Sequence, residues 1–594
     1  MFVFEYEKPT MKKTITLLCL VFTAINFAQV KGKVTTNNNK PLSFVSIYLE
    51  NSITGTTTND NGDYELAITK KGEHTIVYQI LGFKTVKKKV DISSFPFILN
   101  VNLSEEQVAL DEVLISSKEN PANKIIRNAI ASKKKNTDKF AQYKADFYSR
   151  GLFKVKNLPK KFLGQEIGDM GGGLDSTRTG IVYLSETISK ISYQKKPKNF
   201  KEHIIASKVS GSDNGISFNQ AEEVDFNFYE NSFNLAEAQM ISPISNGAFS
   251  YYNYKLTGTF YDKNARLINK IQLLPKRKND RVFSGFIYIV EDDWAIYGAD
   301  VIVTGNQVSM PMIDTLHIKQ NYNFSPKNKA WVPVTQTIDF KAGMFGFNFN
   351  GRFSAAYSNY NFSPNYTEKS FGSEILSFAE NATEKDSVYW NKIRPVALTR
   401  EEVSDYKLKD SIKTVRKSKK YLDSIDSKRN KFRIMDIVSG YSYRDSYNKW
   451  SINLSSPIED LSFNTVQGWN TSVGLSYYKT LNKKGKNFGF GTNVNYGFSD
   501  KEIRPTGYFY YKWNNTTRPI LNISGGITTT QFNAKQPISK FWNTISSVLF
   551  ERNYMKIYEK AFARASFSRE VINGLHMSTS LEFADRKPLF NTTD

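Results

Sequence analysis

Residues 469–477 read Trp-Asn-Thr-Ser-Val-Gly-Leu-Ser-Tyr, with large apolar side chains at positions 469, 473, 475 and 477. The residues between them are small or polar. Side chains of a β-strand point alternately to opposite faces, so a repeat of two residues indicates a strand with one apolar face. This stretch therefore predicts a strand that meets an apolar environment on one side only.

The same alternation returns at 488–498, 521–528 and 575–583. Segments of about ten residues with an apolar outer face and a small or polar inner face are typical of transmembrane β-barrels. A soluble antiparallel sheet with one hydrated face is the alternative. We predict a transmembrane antiparallel β-barrel over residues 437–594, in contact with outer-membrane lipid. The residues predicted to face lipid are Trp469, Leu475, Phe490, Tyr496, Ile523 and Leu581.

A secretory signal peptide is predicted near the start of the chain. Residues 11–13 (Met-Lys-Lys) are basic, residues 14–27 are a short apolar stretch, and Ala28 precedes a cleavage point. This order is that of an export signal, and its apolar part is too short to span a membrane. Residues 1–28 are therefore assigned to a leader. The only cysteine, Cys19, lies within it, so no disulfide framework or thiolate metal site is expected elsewhere.

The charge of the chain is strongly positive, with 80 Lys and Arg against 57 Asp and Glu and a formal net charge of +23. Such a balance often indicates nucleic-acid binding. Export argues against a nucleic-acid partner, and the basic residues are spread along the whole chain. Anionic lipid head groups are a partner that an exported basic protein would meet, and solubility alone is an equally good explanation.

Residues 29–105 predict a seven-stranded β-sandwich, with short alternating segments and a turn at 59–62 (Asn-Asp-Asn-Gly). The segment resembles the carboxypeptidase-regulatory-like domain, a transthyretin-like sandwich. The stretches that carry this resemblance are 32–34, 41–42, 45–47, 55–58, 60–64 and 82–83.

The resemblance implies a fold and not a peptidase activity. Zinc carboxypeptidases space their first two metal ligands as His-x-x-Glu, and none of the four histidines, His74, His203, His317 and His576, has a Glu three residues later. The chain also lacks a Gly-x-x-x-x-Gly-Lys-Ser/Thr phosphate loop, a Gly-x-Ser-x-Gly elbow and a His-Glu-x-x-His motif. We therefore predict a non-enzymatic protein and assign no catalytic, cofactor-binding or metal-binding residue.

A linker and helix are predicted over residues 106–137. Asp111, Glu112 and Val113 look like the coupling segment of energy-coupled (TonB-dependent-like) outer-membrane receptors, while a last sandwich strand followed by a linker is an equally good interpretation. Pro121 opens a helix, since proline suits the first helical position. No plug-like signature follows, which speaks against a receptor.

Residues 138–365 predict a β-rich periplasmic domain of sequential strands. Segments 270–275, 283–289, 294–296 and 331–333 resemble the curved half-barrel of periplasmic lipoprotein carriers, which wrap a sheet around an apolar groove for acyl chains. The irregular insertion at 211–247 is interpreted as either a lid or a loop.

A charged helical connector is predicted over residues 366–436. It contains Trp390, Arg394 and Pro395, and a capping box formed by Thr399 and Glu402 begins its main helix. The partial barrel then completes the order of domains. The whole order resembles a family of outer-membrane proteins of unknown function that carry a carboxypeptidase-regulatory-like domain. That family's barrels are larger, and outer-membrane barrels usually end on an aromatic strand, so we expect a truncated copy.

Three functions remain open at this point. The first is a non-enzymatic outer-membrane barrel protein of a Gram-negative bacterium, whose periplasmic domains bind lipid, glycan or a protein partner in envelope biogenesis, transport or surface display. The second is an energy-coupled nutrient receptor. The third is a secreted binding or hydrolytic protein without a membrane part.

Overall fold

The structure is a computed structural model and is mainly β, with 50% of residues in strands and 15% in helices. The chain divides between Ile412 and Lys413 into two compact units, here the N-terminal and the C-terminal unit. The predicted leader and the predicted coupling residues Asp111, Glu112 and Val113 lie outside the described residues. The structure describes residues 29–593 except 51–54, 69, 107–119, 163–164, 213–216, 218, 225, 263, 327, 345–346, 368–369, 534 and 536.

The N-terminal unit begins with a β-sandwich, as predicted, although it has eight strands rather than seven. The extra strand arises because residues 97–103 form two short strands that both run parallel to the first. The sheets are β4-β1-β7, with β8 also on β1, and β3-β2-β5-β6. The strands are β1 Gln29–Thr36, β2 Ser46–Leu49, β3 Gly55–Thr57, β4 Asp63–Ala67, β5 Gly72–Gln79, β6 Val86–Ile92, β7 Phe97–Ile98 and β8 Val101–Leu103.

The predicted turn between β3 and β4 is held by the Asn59 side chain. Its Oδ1 accepts hydrogen bonds from the backbone N–H groups of Asn61 and Asp63, both at 2.9 Å. Gly62 has a φ of +78°, which a residue with a Cβ rarely adopts. Local turn chemistry therefore sets the hairpin that orients β3.

An eleven-stranded sheet forms most of the rest of this unit, in the order β16-β17-β18-β19-β20-β21-β22-β9-β12-β13-β23. All of its ladders are antiparallel except the last, between β13 and β23. The strands of this region, including two small hairpins, are β9 Gln142–Lys156, β10 Lys161–Phe162, β11 Gln165–Glu166, β12 Gly180–Gln194, β13 Asn199–Val209, β14 Ser232–Leu235, β15 Ala238–Ile241, β16 Tyr252–Tyr261, β17 Leu267–Pro275, β18 Ser284–Val290, β19 Ile296–Thr304, β20 Ile313–Ser325, β21 Ala330–Met344, β22 Phe347–Asn361 and β23 Leu376–Phe378.

One side of this sheet is covered by the chain's own apolar residues. Helix α1, Pro121–Asp138, has Pro121 in its first turn and an Asn120 cap, and it buries Ile125 and Ile126. Segment 226–248 joins the same buried cluster through Phe228 and Met240. The carrier resemblance implied an open groove, and here these side chains fill the apolar side. The 211–247 insertion, proposed as a lid or a loop, thus contributes to the core.

Short helices connect the sheet to the rest of the chain. They are the 3₁₀ turns Met170–Gly172 and Ala248–Ser250 and the α-helices α2 Ala221–Val224, α3 Ser387–Ile393, α4 Arg400–Lys417, α5 Lys419–Arg429 and α6 Asp436–Ser439. The predicted capping box is confirmed: the Thr399 N–H donates to Glu402 Oε2 at 2.7 Å, and the Glu402 N–H donates to Thr399 Oγ1 at 3.2 Å. These bonds satisfy two donors that a helix start leaves open.

The C-terminal unit is an antiparallel sheet of nine strands in the order β24-β25-β27-β28-β29-β30-β31-β32, with β26 also on β27. Within the described residues no ladder joins the edge strands β24 and β32. Its elements are β24 Tyr441–Asp445, β25 Trp450–Leu454, β26 Ser462–Asn464, β27 Gly468–Thr480, β28 Asn487–Gly497, β29 Ile503–Lys512, β30 Ile520–Gln531, α7 Lys540–Phe550, β31 Ile557–Ile572 and β32 Leu575–Pro588.

Helices that could cross a membrane are absent from the described part of the chain, because none is both long enough and apolar enough.

Candidate functional site

The C-terminal sheet carries a row of apolar side chains on one face. Its register pairs Tyr477 with Phe490, Phe490 with Phe509, Phe509 with Ile523, Ile523 with Ala565 and Ala565 with Leu581. Residues paired across an antiparallel ladder lie on the same face. Three predicted lipid-facing residues therefore share one row, and they are exposed: Phe490 by 50%, Ile523 by 48% and Leu581 by 79%.

The other predicted lipid-facing residues belong to neighbouring rows of this sheet. Trp469 and Leu475 are exposed and lie on β27 with the same parity as Tyr477. Tyr496 pairs with Thr471 and is partly buried. The register thus places all six residues on one side of the sheet, as their alternation predicted.

Polar residues occupy the opposite side of the same sheet. There Ser476 pairs with Gly491, and Arg564 pairs with Glu582, whose carboxylate also binds Lys560 at 2.7 Å. Near one end Arg504 is only 2% exposed and binds Asp500 at 2.7 Å and Glu559 at 3.0 Å. A buried charge is tolerated where it is paired. In this sheet several charged groups are therefore sheltered, whereas the apolar row on the opposite face is exposed.

The N-terminal unit contains a cavity of about 430 Å³ between the sandwich, the eleven-stranded sheet and the end of α3. Small-molecule sites commonly have volumes of about 300–1,000 Å³ and often lie where two domains meet. Strands β2 and β3 form one wall, β9, β12, β21 and β22 contribute to another, and residues 389–395 close one side. The geometry of that closing segment sets the shape of the cavity.

Arg394 fixes the closing segment to the sheet. Its guanidinium makes two bonds to Glu186, Nε to Oε1 at 2.6 Å and Nη2 to Oε2 at 2.8 Å. The Tyr148 hydroxyl donates to the same Glu186 Oε1 at 2.7 Å. Burial alone would raise the pKa of Glu186, but the adjacent Arg394 outweighs it and holds that pKa below its usual range. The ion pair is completely buried on the Glu186 side.

A second buried pair continues this network. Arg150 lies directly across from Glu186 in the sheet register and binds Glu402 at 3.0 Å. Its guanidinium also donates to the Ala397 carbonyl at 3.2 Å. From the sandwich, the Thr56 hydroxyl and the Thr57 N–H both donate to the Pro395 carbonyl. Residues 394–397 are therefore held by the sheet on one side and by sandwich strand β3 on the other.

Two buried hydroxyls line the cavity without a hydrogen-bond partner among the described residues. They are Ser46 Oγ and Thr57 Oγ1, which lie opposite each other in the β2–β3 ladder. Next to them the Tyr48 hydroxyl donates to Gln79 Oε1 at 2.7 Å, and Gln79 donates to the Tyr297 hydroxyl at 2.8 Å. Both residues belong to the sandwich wall of the cavity, and their hydroxyl oxygens are buried within that wall.

Several charges of the lining are already neutralised by partners. Glu50 binds Lys87 at 2.7 Å, and Arg394 is committed to Glu186. Asn264 and Asn323 add amide groups to the wall. Hydroxyls and amides suit a polar, uncharged ligand, because they can both donate and accept hydrogen bonds.

Metal ligands are not assembled in the described part of the chain, where no group of three or more His, Cys, Asp and Glu could hold an ion. Three of the histidines have separate partners: His74 contacts the Lys70 carbonyl, His203 contacts Ser377, and His317 contacts Asp300 at 2.5 Å.

Sequence reasoning missed Tyr148, Arg150 and Glu186. In a strand, a charged residue normally indicates a hydrated face, and nothing local distinguishes one that is buried by a distant segment. Arg394 stands beside Pro395 in the predicted connector, but its partner Glu186 lies 208 positions away in the sequence.

Taken together, the molecule is a mainly β protein of several domains, in which a sandwich precedes two large antiparallel sheets. Family models agree with this order. Residues 30–115 match the CarboxypepD_reg-like domain, residues 125–360 match the family of unknown function DUF5686, and residues 435–594 match the C-terminal domain of that family. The chain thus carries a carboxypeptidase-regulatory-like domain followed by two DUF5686 domains.

No curated protein matches the chain. Among solved structures it is similar to a streptococcal ancillary pilin (10% identity, TM-score 0.12, 28% of this chain and 53% of the pilin). It is also similar to a DUF1329 family protein from Desulfovibrio piger (10% identity, TM-score 0.17, 43% of this chain and 98% of that protein). A third similar structure is lipovitellin (7% identity, TM-score 0.18, 74% of this chain and 85% of lipovitellin). The chain spans about half of the pilin's length. TM-scores this low establish no shared fold.

Proposed function

We propose that this protein is a non-enzymatic outer-membrane protein of a Gram-negative bacterium. Its C-terminal sheet would form part of a transmembrane β-barrel, and its N-terminal unit would lie in the periplasm and bind a ligand there. The observation that carries this proposal is the exposed apolar row through Phe490, Ile523 and Leu581. Water disfavours such a surface, because contiguous apolar patches on soluble monomers are rarely large. Acyl chains would favour it.

The polar side of the same sheet supports the proposal independently. A barrel wall has a polar interior, where Arg564, Lys560 and Glu582 would find partners, and a lipid-facing exterior. The secretory leader predicted from residues 1–28 supplies the route. Phosphate loops and other catalytic motifs are missing from the sequence, so a binding role fits better than an enzymatic one.

In the periplasm the cavity of the N-terminal unit is the proposed binding site. Its amide groups at Asn264 and Asn323 suit the hydroxyl-rich or amide-rich part of a glycan or of a lipid head group, and the buried hydroxyls of Ser46 and Thr57 lie in the wall beside that volume. A protein partner would instead use the outer surface of the sandwich. The paired charges of the wall favour the first kind of ligand.

Lysine substitutions on the two faces of the sheet test the membrane part. We expect Leu475→Lys, Phe490→Lys and Ile523→Lys, combined in one variant, to abolish accumulation in the outer membrane. A lysine on the lipid face costs about 2–4 kcal/mol near the bilayer midplane. The measurement is the amount of protein that stays with outer membranes after a carbonate wash.

The matched control places three lysines on the opposite face of the same strands, as Ser476→Lys, Asn493→Lys and Ser524→Lys. This variant should insert normally, since a barrel interior tolerates charge. Equal insertion of the two variants would refute the proposal. Release of the unmodified protein by carbonate would favour the alternative of a secreted protein.

A further inference from the structure

Helix α7 exposes its largest apolar side chains. Phe541 is 65% exposed, Trp542 66%, Leu549 69% and Phe550 64%. A helix on the surface of a soluble protein normally turns its apolar stripe toward the core. In α7 that stripe points away from the protein.

The side of α7 that packs on the protein is polar. Asn543 is only 1% exposed, and its amide donates to the Phe463 carbonyl and to Asn553 Oδ1 at 3.0 Å. Its carbonyl oxygen accepts from the N–H groups of Tyr554 and Met555, both at 3.0 Å. A network with this many bonds fixes the rotation of the helix. The exposure of the apolar side is therefore a built feature of the fold.

Basic residues flank the helix. Between positions 535 and 556 the sequence has four of them, Lys535, Lys540, Arg552 and Lys556, and a single acidic residue, Glu551. Lys540 binds Asp460 at 3.2 Å, so the excess of positive charge is carried by the other three. Clustered basic residues beside an apolar surface attract anionic lipid head groups. Tryptophan, as at position 542, is enriched at the boundary between head groups and acyl chains.

The helix also adjoins the apolar face of the sheet. The Phe463 N–H on β26 donates to Thr544 Oγ1 at 2.8 Å, and the Phe463 ring contacts that of Trp469 at 5.6 Å between centroids. Trp469 is one of the residues proposed to face lipid. Helix α7 is thus bonded to the strand whose Phe463 ring lies against a residue proposed to face lipid.

We propose that α7 is an interfacial anchor, which buries Phe541, Trp542, Leu549 and Phe550 at the boundary between head groups and acyl chains of an anionic lipid surface. This inference rests on the proposed function, because the sheet beside α7 must cross the same membrane. The helix runs along the membrane surface and sets the depth at which that end of the sheet sits. Its length of 11 residues, about 16 Å at 1.5 Å per residue, is far below that of a membrane span.

Single-cysteine labelling of the full chain tests the anchor. Cys19 is the only natural cysteine, so a Cys19→Ser background permits one label at Leu549→Cys and, in a second variant, at Phe490→Cys. Each is coupled to an environment-sensitive nitrobenzoxadiazole dye and reconstituted into phosphatidylethanolamine–phosphatidylglycerol vesicles. The vesicles contain lipids with a nitroxide quencher either near the ester bonds or at the end of the acyl chain.

We expect the dye at position 549 to lose most emission with the shallow quencher, and the dye at 490 to lose most with the deep one. Quenching at 490 without quenching at 549 would overturn the anchor and leave the proposed function intact. If neither position is quenched, the proposed function fails with it. A dye at 549 that neither nitroxide lipid quenches, but whose emission rises when labelled protein is diluted with unlabelled protein, would overturn the anchor and indicate a second copy of the chain as the occupant.

A pair of charge-removing substitutions distinguishes attraction to anionic lipid from burial of the apolar side chains alone. Arg552→Gln with Lys556→Gln should reduce shallow quenching at 549 in anionic vesicles and leave it unchanged in vesicles of phosphatidylcholine alone. The matched control, Lys483→Gln with Lys512→Gln, lies at the other end of the strands and should change neither. Equal quenching of the Arg552→Gln, Lys556→Gln variant in both kinds of vesicle, at the level of the unmodified protein, would refute the role of anionic lipid.

Discussion

The two large sheets of this protein differ in how they are covered: the eleven-stranded sheet buries its apolar side against protein, and the nine-stranded sheet leaves its apolar side exposed. In the eleven-stranded sheet Ile287 and Ile289 are fully buried, in the same apolar cluster as residues of α1 and of segment 226–248. In the nine-stranded sheet Ile523 and Leu581 are exposed, and polar residues such as Asn470 and Arg504 are buried instead. An alternation that repeats every two residues specifies a strand. Which face of the sheet is covered depends on the segments that pack against it.

The difference lies in what each sheet has to cover its apolar side. The N-terminal unit supplies a helix and a long insertion, and the polar side of its sheet receives the sandwich and the segment 394–397. The C-terminal unit supplies α7, which turns its own apolar side outward. An apolar face left without a protein cover has to be covered by something else, and lipid is the solvent that we propose for it.

The largest effect is expected where charge is buried in the N-terminal unit. Glu186→Gln leaves Arg394 buried beside a neutral amide, and removing one partner of a buried ion pair typically costs about 3–5 kcal/mol. We expect the unfolding transition of the N-terminal unit, followed in the full chain in detergent and urea, to move to much lower denaturant. Glu65→Gln is the control, because its pair with Lys31 is more than one third exposed and should cost less than about 1 kcal/mol.

The same pair predicts a dependence on pH. The pKa of Glu186 is lower in the folded protein than in the unfolded chain. The contribution of its carboxylate to the free energy of unfolding is therefore fully present above the unfolded pKa. It is lost as pH falls through the folded value. The stability difference between the unmodified protein and Glu186→Gln should therefore shrink on acidification below the ordinary pKa of glutamate. A difference that stays constant or grows would contradict the ion pair.

The next effect compares one apolar truncation in each sheet. Ile287→Ala removes a buried side chain and should cost about 2–5 kcal/mol. Leu581→Ala removes a side chain that is 79% exposed and leaves no cavity in the protein, so it should cost less than Ile287→Ala and only the transfer of the lost atoms from water to lipid or detergent. The measurement is urea unfolding of each variant, followed by tryptophan emission.

A loss of stability for Leu581→Ala as large as that for Ile287→Ala would break the comparison between the two sheets. It would mean that the exposed row packs against protein, for instance in an oligomer. A small loss for Ile287→Ala would mean that the apolar side of the N-terminal sheet is loosely packed. Neither result is compatible with the burial seen in the structure.

Local features could be predicted from the sequence with good accuracy. The alternation at 469–477 predicted that Trp469 and Leu475 share one face of β27, and the Thr399–Glu402 capping box was visible because its partners are three residues apart. The turn that begins at Asn59 was equally local. Each of these features depends on neighbours within one element, so a single stretch of sequence contains all the relevant information.

Long-range features could not be predicted in this way. The pairing of Glu186 with Arg394 joins residues from two distant segments, and neither residue has a local signal for burial. The filling of the apolar side by Phe228 and Met240 looked like an irregular insertion, because those residues follow no period. Which side of α7 is exposed depends on the hydrogen bonds that Asn543 makes outside its own helix.

The smallest expected effect concerns the cavity. There the sign of the change in unfolding free energy is the informative quantity. Ser46→Ala combined with Thr57→Val removes two buried hydroxyls that have no partner in the described part of the chain. An unsatisfied buried hydroxyl is costly, so its removal should leave the unfolding free energy unchanged or raise it by up to about 1 kcal/mol. Thr35→Val is the matched control, since the Thr35 hydroxyl donates to Asn102 at 2.6 Å in the same sandwich.

The control should lose about 0.5–1.5 kcal/mol, the usual net contribution of one hydrogen bond. Opposite signs for the two variants would show that the hydroxyls at the cavity wall lack protein partners, as a site for a polar ligand requires. A neutral disaccharide added at high concentration should then stabilise the unmodified protein more than the Ser46→Ala, Thr57→Val variant, because a ligand stabilises only the state that binds it. If both variants lose stability equally, these hydroxyls are already bonded within the protein, and the cavity is part of its packing rather than a place for a ligand.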